Sequence, residues 1–208
     1  MKYPITKILD FGSSIYDRWT KHNLREIYKK LIELVELNGN EKVLDIGCGP
    51  GNLDLMIAEI LGEGSIYGID ISPKMIKIAR KKAKARGYNI DYRVGNSTKL
   101  PYENEEIDVV FTCLIYHHLN YEEKSQTLKE IYRLLNQNGR YICLEFCEFP
   151  QDIFHRIFLK LFTGNSGIMH GLYPAKLIEK NGFRIEEEIK GPSFWKHHHT
   201  SYRVLVKK

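Results

Sequence analysis

Three short stretches of the chain bring together residue types that can do chemistry. The run Val43-Leu44-Asp45-Ile46 leads into Gly47-Cys48-Gly49-Pro50-Gly51. Glycines at alternate positions permit a tight turn and let a ligand lie against bare backbone. A helix that follows would point its positive end at that ligand. Asp70 closes the next apolar run, where a carboxylate can accept hydrogen bonds from both hydroxyls of a ribose. Further on, His117 and His118 stand side by side after another apolar run, and an imidazole there could take a proton from a phenol, enol or thiol.

The glycine spacing narrows the ligand. A dinucleotide fingerprint reads G-x-G-x-x-G, with the helix start receiving a pyrophosphate. Here the pattern is G-x-G-x-G, and no basic residue lies in or beside the turn. A ligand with a ribose but no pyrophosphate fits better, which disfavours an NAD-dependent oxidoreductase. The four cysteines, Cys48, Cys113, Cys143 and Cys147, include no C-x-x-C pair. Reduced thiols are therefore expected and no metal site is. His197-His198-His199 reads as a solvated loop.

These residues need elements to hold them. Leu24, Ile27, Tyr28, Leu31, Ile32 and Val35 recur at helical spacing, and Asn38-Gly39 ends that helix. Strands are expected at Lys42–Ile46, Ser65–Asp70, Asp91–Val94 and Ile107–Thr112, with a fifth at Tyr141–Phe146 after an Asn138-Gly139 turn. Between them, Leu53, Met56, Ile57, Ile60 and Leu61 form a helical stripe stopped by Gly62. Ser72-Pro73 opens a helix that closes near Gly87, and Asn120 with Glu123 forms a capping-box start. Alternating strands and helices imply an α/β fold, doubly wound around a mostly parallel sheet. Phe183–Ile189 and Tyr202–Val206 alternate apolar and polar with no helix between them, which predicts an antiparallel C-terminal hairpin at the sheet edge.

The motifs together resemble the class I S-adenosylmethionine-dependent methyltransferases. Val43–Gly51 is similar to their first motif, and Gly68-Ile69-Asp70-Ile71-Ser72-Pro73-Lys74-Met75 to their second-strand motif. Gly95-Asn96-Ser97 with Leu100-Pro101 resembles the adenine-side segment, Phe111–Leu119 the segment after strand four, and Leu128–Leu135 with Asn138-Gly139-Arg140 the helix-to-strand turn. The resemblance covers roughly residues 40 to 147 and implies a Rossmann-like sheet of seven strands. It implies S-adenosyl-L-methionine as cofactor, its methionine part held by Asp45, Gly47, Cys48, Gly49 and Gly51 and its ribose by Asp70. Ile71 and Met75 would flank the adenine, with Asn96 and Ser97 at its edge and Cys113 near the cofactor. Asn96 stands where the family more often has aspartate, and an amide can still pair with the adenine amino group. The segment after strand four, Thr112-Cys113-Leu114-Ile115-Tyr116-His117-His118, has no prolines, no carboxylate and no cysteine preceded by proline, unlike the nucleic-acid subclasses. It looks more like the small-molecule branch that includes the quinone-biosynthesis C-methyltransferases, as do Tyr16-Asp17 and Leu144-Glu145-Phe146. His117 and His118 would then face the transferred methyl.

The expected organisation is one methyltransferase domain: an N-terminal helical segment over 1–40, a cofactor-binding core over 41–147, an acceptor lid over 148–182 and an edge hairpin over 183–208. The lid rests on Asp152–Phe162, whose apolar face is wide, and on the hinge-like run Gly164-Asn165-Ser166-Gly167 that follows. A net charge of +5 is a mild excess, and the run Lys77–Arg86 reads as a solvated helix face. Nucleic acid is therefore a disfavoured partner beside a small, apolar or aromatic methyl acceptor. No apolar run reaches the ~18 residues of a membrane span, and the first ten residues lack a secretory pattern, so a cytoplasmic location is expected. The alternatives are a non-catalytic adenosyl-cofactor-binding module acting through a partner, or an RNA or protein methyltransferase. The oligomeric state is left open.

Overall fold

The computed structural model describes residues 17–18, 20–146, 175–192 and 200–208. Helix α1 (Arg25–Glu33) precedes β1 (Lys42–Ile46), and α2 (Asn52–Ala58), β2 (Ser65–Asp70), α3 (Pro73–Ala85), β3 (Asp91–Val94) and β4 (Ile107–Cys113) follow in alternation. A 3₁₀ turn at Tyr116–His118 leads into α4 (Tyr121–Leu134) and the long β5 (Leu135–Phe146). The chain closes with α5 (Ala175–Lys180), β6 (Phe183–Lys190) and β7 (Thr200–Lys207).

The strands form one seven-stranded sheet in the order β3-β2-β1-β4-β5-β7-β6. The first five in that order run parallel, and β7 lies antiparallel to both β5 and β6. The strand order reverses between β1 and β4. In sheets of this kind ligands bind at that point, outside the carboxyl ends of the strands, and both the glycine turn and the histidine loop leave the sheet there.

Alternate residues of each strand feed opposite faces. Leu44, Val110, Tyr141 and Cys143 join Leu128, Ile131 and Leu134 of α4 in one core. Val43, Val109, Ile142 and Leu144 join Ile27, Leu31, Leu53 and Ile57 of α1 and α2 in the other. Each such fully buried aliphatic contributes about 1.5–3 kcal/mol, so the sheet is held rigidly from both sides. Ser72 caps α3 by accepting from the Met75 N–H at 3.2 Å, with Pro73 at the first helical position. Asn120 and Glu123 make both halves of the expected capping box.

The structure departs from the sequence reading in three places, the first being helix α1, which ends at Glu33, short of the expected Asn38-Gly39. Asn138-Gly139 does not turn into β5 but lies within it, because the strand starts at Leu135, paired with Ile107. A register shift between Ile107 and Val109 absorbs the extra residues, and the Asn136 side chain bonds Asp108 across the bulge. Helix α2 ends at Ala58, before the expected Gly62, so Ile60 is exposed rather than part of the core stripe. Among the described residues no helix is long and apolar enough to cross a membrane. Of the expected lid only α5 is described, and its Leu177 and Ile178 are buried; Tyr16, Cys147, residues 148–174 and His197–His199 lie outside the described residues.

Candidate active site

The glycine turn is built from three left-handed residues, Gly47 (φ 77°), Gly49 (φ 53°) and Gly51 (φ 73°). Each is glycine for a different reason. A Cβ on Gly47 would collide with the Ile115 side chain, and one on Gly51 with the Tyr92 hydroxyl and Ala79. A Cβ on Gly49 would meet nothing within 4 Å. The first and third glycines therefore serve packing, and the middle one opens onto free space where a ligand can lie against the backbone.

Asp70 ties this turn to the end of β2. Its carboxylate accepts the Gly49 N–H at 2.9 Å and the Ser72 N–H at 2.7 Å. A carboxylate accepts hydrogen bonds at either oxygen, which is the chemistry ribose hydroxyls require. Ile71 beside it is half-buried. Met75 is 0% exposed, and its backbone N–H donates to the Ser72 hydroxyl at 3.2 Å. Asn96 accepts the Thr98 N–H at 3.0 Å through its side-chain oxygen, and the Ser97 hydroxyl pairs with Thr127 of α4 at 2.9 Å.

Beneath the turn lies a buried acidic cluster. Asp45 is 3% and Asp54 0% exposed. Asp45 Oδ1, both Asp54 oxygens and the Tyr92 hydroxyl have no hydrogen-bond partner among the described residues. Burial, then the neighbouring Asp54, pushes the Asp45 carboxyl well above its usual range. Burial pushes Asp54 up to about 7. Cys48 is buried among these acids, and burial followed by their charges keeps its thiol protonated, far above the ordinary range. Burial does the same for Cys113. Both thiols are packing groups, not nucleophiles.

The N-terminal segment is fastened to the same corner. Asp17 accepts from Lys82 at 2.6 Å and from the Asn52 amide at 3.1 Å, and Thr20 accepts from that amide at 3.0 Å. Asn52 opens α2 directly after Gly51, so this network holds the first helical segment beside the glycine turn.

The histidine loop begins with a strained residue, Leu114 (φ 56°), whose N–H bonds the Leu144 carbonyl at 2.9 Å. Such strain persists where the surroundings hold a loop in a needed position. Ile115, packed on Gly47, sets the His117–His118 turn next to the glycine turn. The Glu145 carboxylate at the end of β5 accepts the His117 N–H at 2.9 Å and lies 3.1 Å from His117 Nδ1. The two imidazoles stack with centroids 3.9 Å apart. Burial, then the charge of His117, holds His118 well below the usual imidazole range. Glu145, Asp54 and Lys124 did not stand out in the sequence as site residues. The one available signal was an acid inside the apolar run Tyr141–Phe146.

Residues 43–139 match the family described as a methyltransferase domain. The chain carries a class I S-adenosylmethionine-dependent methyltransferase domain. It is similar to the demethylmenaquinone methyltransferase of Thermus thermophilus, 28% identical over 81% of this chain and 71% of the relative. The corresponding protein of Symbiobacterium thermophilum is 30% identical over 64% of this chain and 57% of its own length. Among solved structures, the geranyl diphosphate C-methyltransferase of Streptomyces coelicolor shares the fold with a TM-score of 0.74 at 12% identity, over 88% of this chain and 78% of that one. The methyltransferase uses S-adenosylmethionine, and the residues present fit it. Gly49 leaves open space at the strand switch point, and a carboxylate stands at the end of β2 for a ribose.

Proposed function

We propose that this methyltransferase acts on a small aromatic acceptor of the quinone kind, taken in its reduced, hydroxyl-bearing form. The observation that carries the reading is the contact of Gly47 with Ile115, which sets the cofactor turn against a loop whose His117 is held by a buried carboxylate. The acceptor class draws support from the relatives named demethylmenaquinone methyltransferase.

When bound, S-adenosylmethionine supplies a methyl group already activated on a sulfonium. The chain's own residues have to align the acceptor, exclude water and remove one proton. Asp70, its direction fixed by its bonds to Gly49 and Ser72, would accept from the ribose hydroxyls. Ile71, Asn96 and Ser97 would hold the adenine, Ser97 being anchored to Thr127 of α4. The turn from Asp45 to Gly51 would hold the methionine part, with Cys48 and Cys113 as neutral packing around it. His117 receives the acceptor's proton.

The test is incubation of the protein with S-adenosylmethionine and chemically reduced demethylmenaquinone, followed by mass spectrometry. The expected result is equimolar S-adenosylhomocysteine and an acceptor heavier by one methylene group. Cofactor binding without either product would exclude this acceptor class.

A further inference from the structure

We propose that Glu145 is a positioning residue, fixing His117 in the tautomer with its proton on Nδ1, so that Nε2 is the base that takes the acceptor's proton. The identity of the proton donor rests on the function proposed above; the Glu145–His117 pair rests on geometry.

Glu145 is 2% exposed and ends the apolar run of β5. A lone acid there is costly to bury unless it is matched, and it is matched on two sides. One oxygen, Oε2, receives the His117 backbone N–H at 2.9 Å and stands 3.1 Å from Nδ1 of the same residue, and Oε1 is 3.4 Å from that nitrogen. On the other side, Lys124 of α4 is 2% exposed. Burial lowers its amine below the usual lysine range, and the charge of Glu145 opposes that shift. A carboxylate oxygen accepts hydrogen bonds, and with the Nδ1 proton in this contact the lone pair falls on Nε2. A carboxylate holding both the backbone and the ring of one histidine fixes the turn as well as the ring rotamer.

His118 is the weaker base of the two, because burial, then the charge of His117, holds it well below the usual imidazole range, and its ring lies against His117, tilted by 47°. The His117 side chain is 13% exposed, open enough to meet an acceptor. In the step, the acceptor's O–H bond breaks and its electron pair stays on the acceptor, which would bond the methyl carbon as the carbon–sulfur bond breaks and S-adenosylhomocysteine leaves. For a ring carbon, the C–H proton is then lost as the O–H bond re-forms. The proton's new bond is N–H on Nε2. The imidazolium so formed lies against the Glu145 carboxylate and then passes its proton to solvent.

Nitrogen-15 NMR of the full chain with labelled histidine reads the tautomer without any acceptor. The wild type should show His117 protonated on Nδ1, and Glu145→Gln should lose that state. With S-adenosylmethionine and reduced demethylmenaquinone, Glu145→Gln should lower kcat about 100-fold with KM and cofactor affinity unchanged, and Glu145→Asp should recover part of the rate. His117→Asn should cost as much, and the double variant no more, as for residues acting as a unit. A wild-type His117 protonated on Nε2, a tautomer unchanged in Glu145→Gln, or additive losses would each overturn the pair. If the wild type forms no S-adenosylhomocysteine, the acceptor class fails while the nitrogen shifts still decide the pair.

Discussion

Replacing Asp54 with asparagine should stabilise the protein at pH 8 and leave it nearly unchanged at pH 4. The side chain is 0% exposed, neither oxygen has a hydrogen-bond partner among the described residues, and Asp45 is its buried neighbour. Burial raises its carboxyl from the ordinary 3.8 to about 7. Because the folded-state pKa is raised, the folded chain holds more protons than the unfolded chain between those two values. Stability from this group is therefore fully present at acid pH, falls as pH rises through that window and is flat above it. At about 1.4 kcal/mol per pH unit, the fall amounts to about 4 kcal/mol. Asparagine keeps the shape and can donate to Asp45 but carries no charge, so it removes this slope. Asp45 interacts with Asp54 and titrates differently in the variant, so the difference reports the pair; groups away from it cancel. Urea unfolding of both proteins at pH 4, 6 and 8 measures it, and for a chain of this size each kcal/mol also moves Tm by about 2–4 °C. A difference between variant and wild type that is the same at all three pH values, or a variant less stable at pH 8, would refute the argument that Asp54 is a buried, unmatched acid.

Three further outcomes follow from the same corner of the fold. Asp70→Asn should weaken S-adenosylmethionine binding by about 1.5–3 kcal/mol, the range for a hydrogen bond to a charged group, as read by calorimetry. It should also lower Tm, because the carboxylate holds the Gly49 and Ser72 N–H groups. Gly51→Ala should destabilise by about 1–3 kcal/mol through overpacking against Tyr92 and Ala79, measurable by urea unfolding in the absence of any ligand. Lys82→Met should remove the Lys82 bonds to Asp17 and Asn52 and loosen the N-terminal segment, so hydrogen exchange over residues 17–24 should rise while the sheet stays protected.

The sheet was legible because its central strands carry mostly apolar residues buried on both faces and are separated by capped helices. Lys42–Ile46, Ser65–Asp70 and Asp91–Val94 fall where the sequence places them. The turn expected at Asn138-Gly139 misled because those residues usually mark turns, whereas here pairing of Leu135 with Ile107 draws them into a bulged strand. At the site, glycine spacing and strand-end position suffice to single out Gly49 and Asp70, since both follow from local chain order. Glu145 and Lys124 are different. Each is an ordinary charged residue until the fold buries it, and His117 and Glu145 lie 28 positions apart.

The central claim is that the glycine turn holds S-adenosylmethionine against the Gly49 backbone. Gly49 and Gly87 allow a controlled measurement, because both have positive φ and at both an added Cβ would meet nothing within 4 Å. Valine at either position costs similar backbone strain, about 1–2 kcal/mol, but only position 49 borders the proposed site. Titration calorimetry of S-adenosylmethionine into the wild type, Gly49→Val and Gly87→Val should show binding in the wild type and Gly87→Val and none in Gly49→Val, with the two variants similarly stable. Binding of wild-type strength in Gly49→Val would contradict the account.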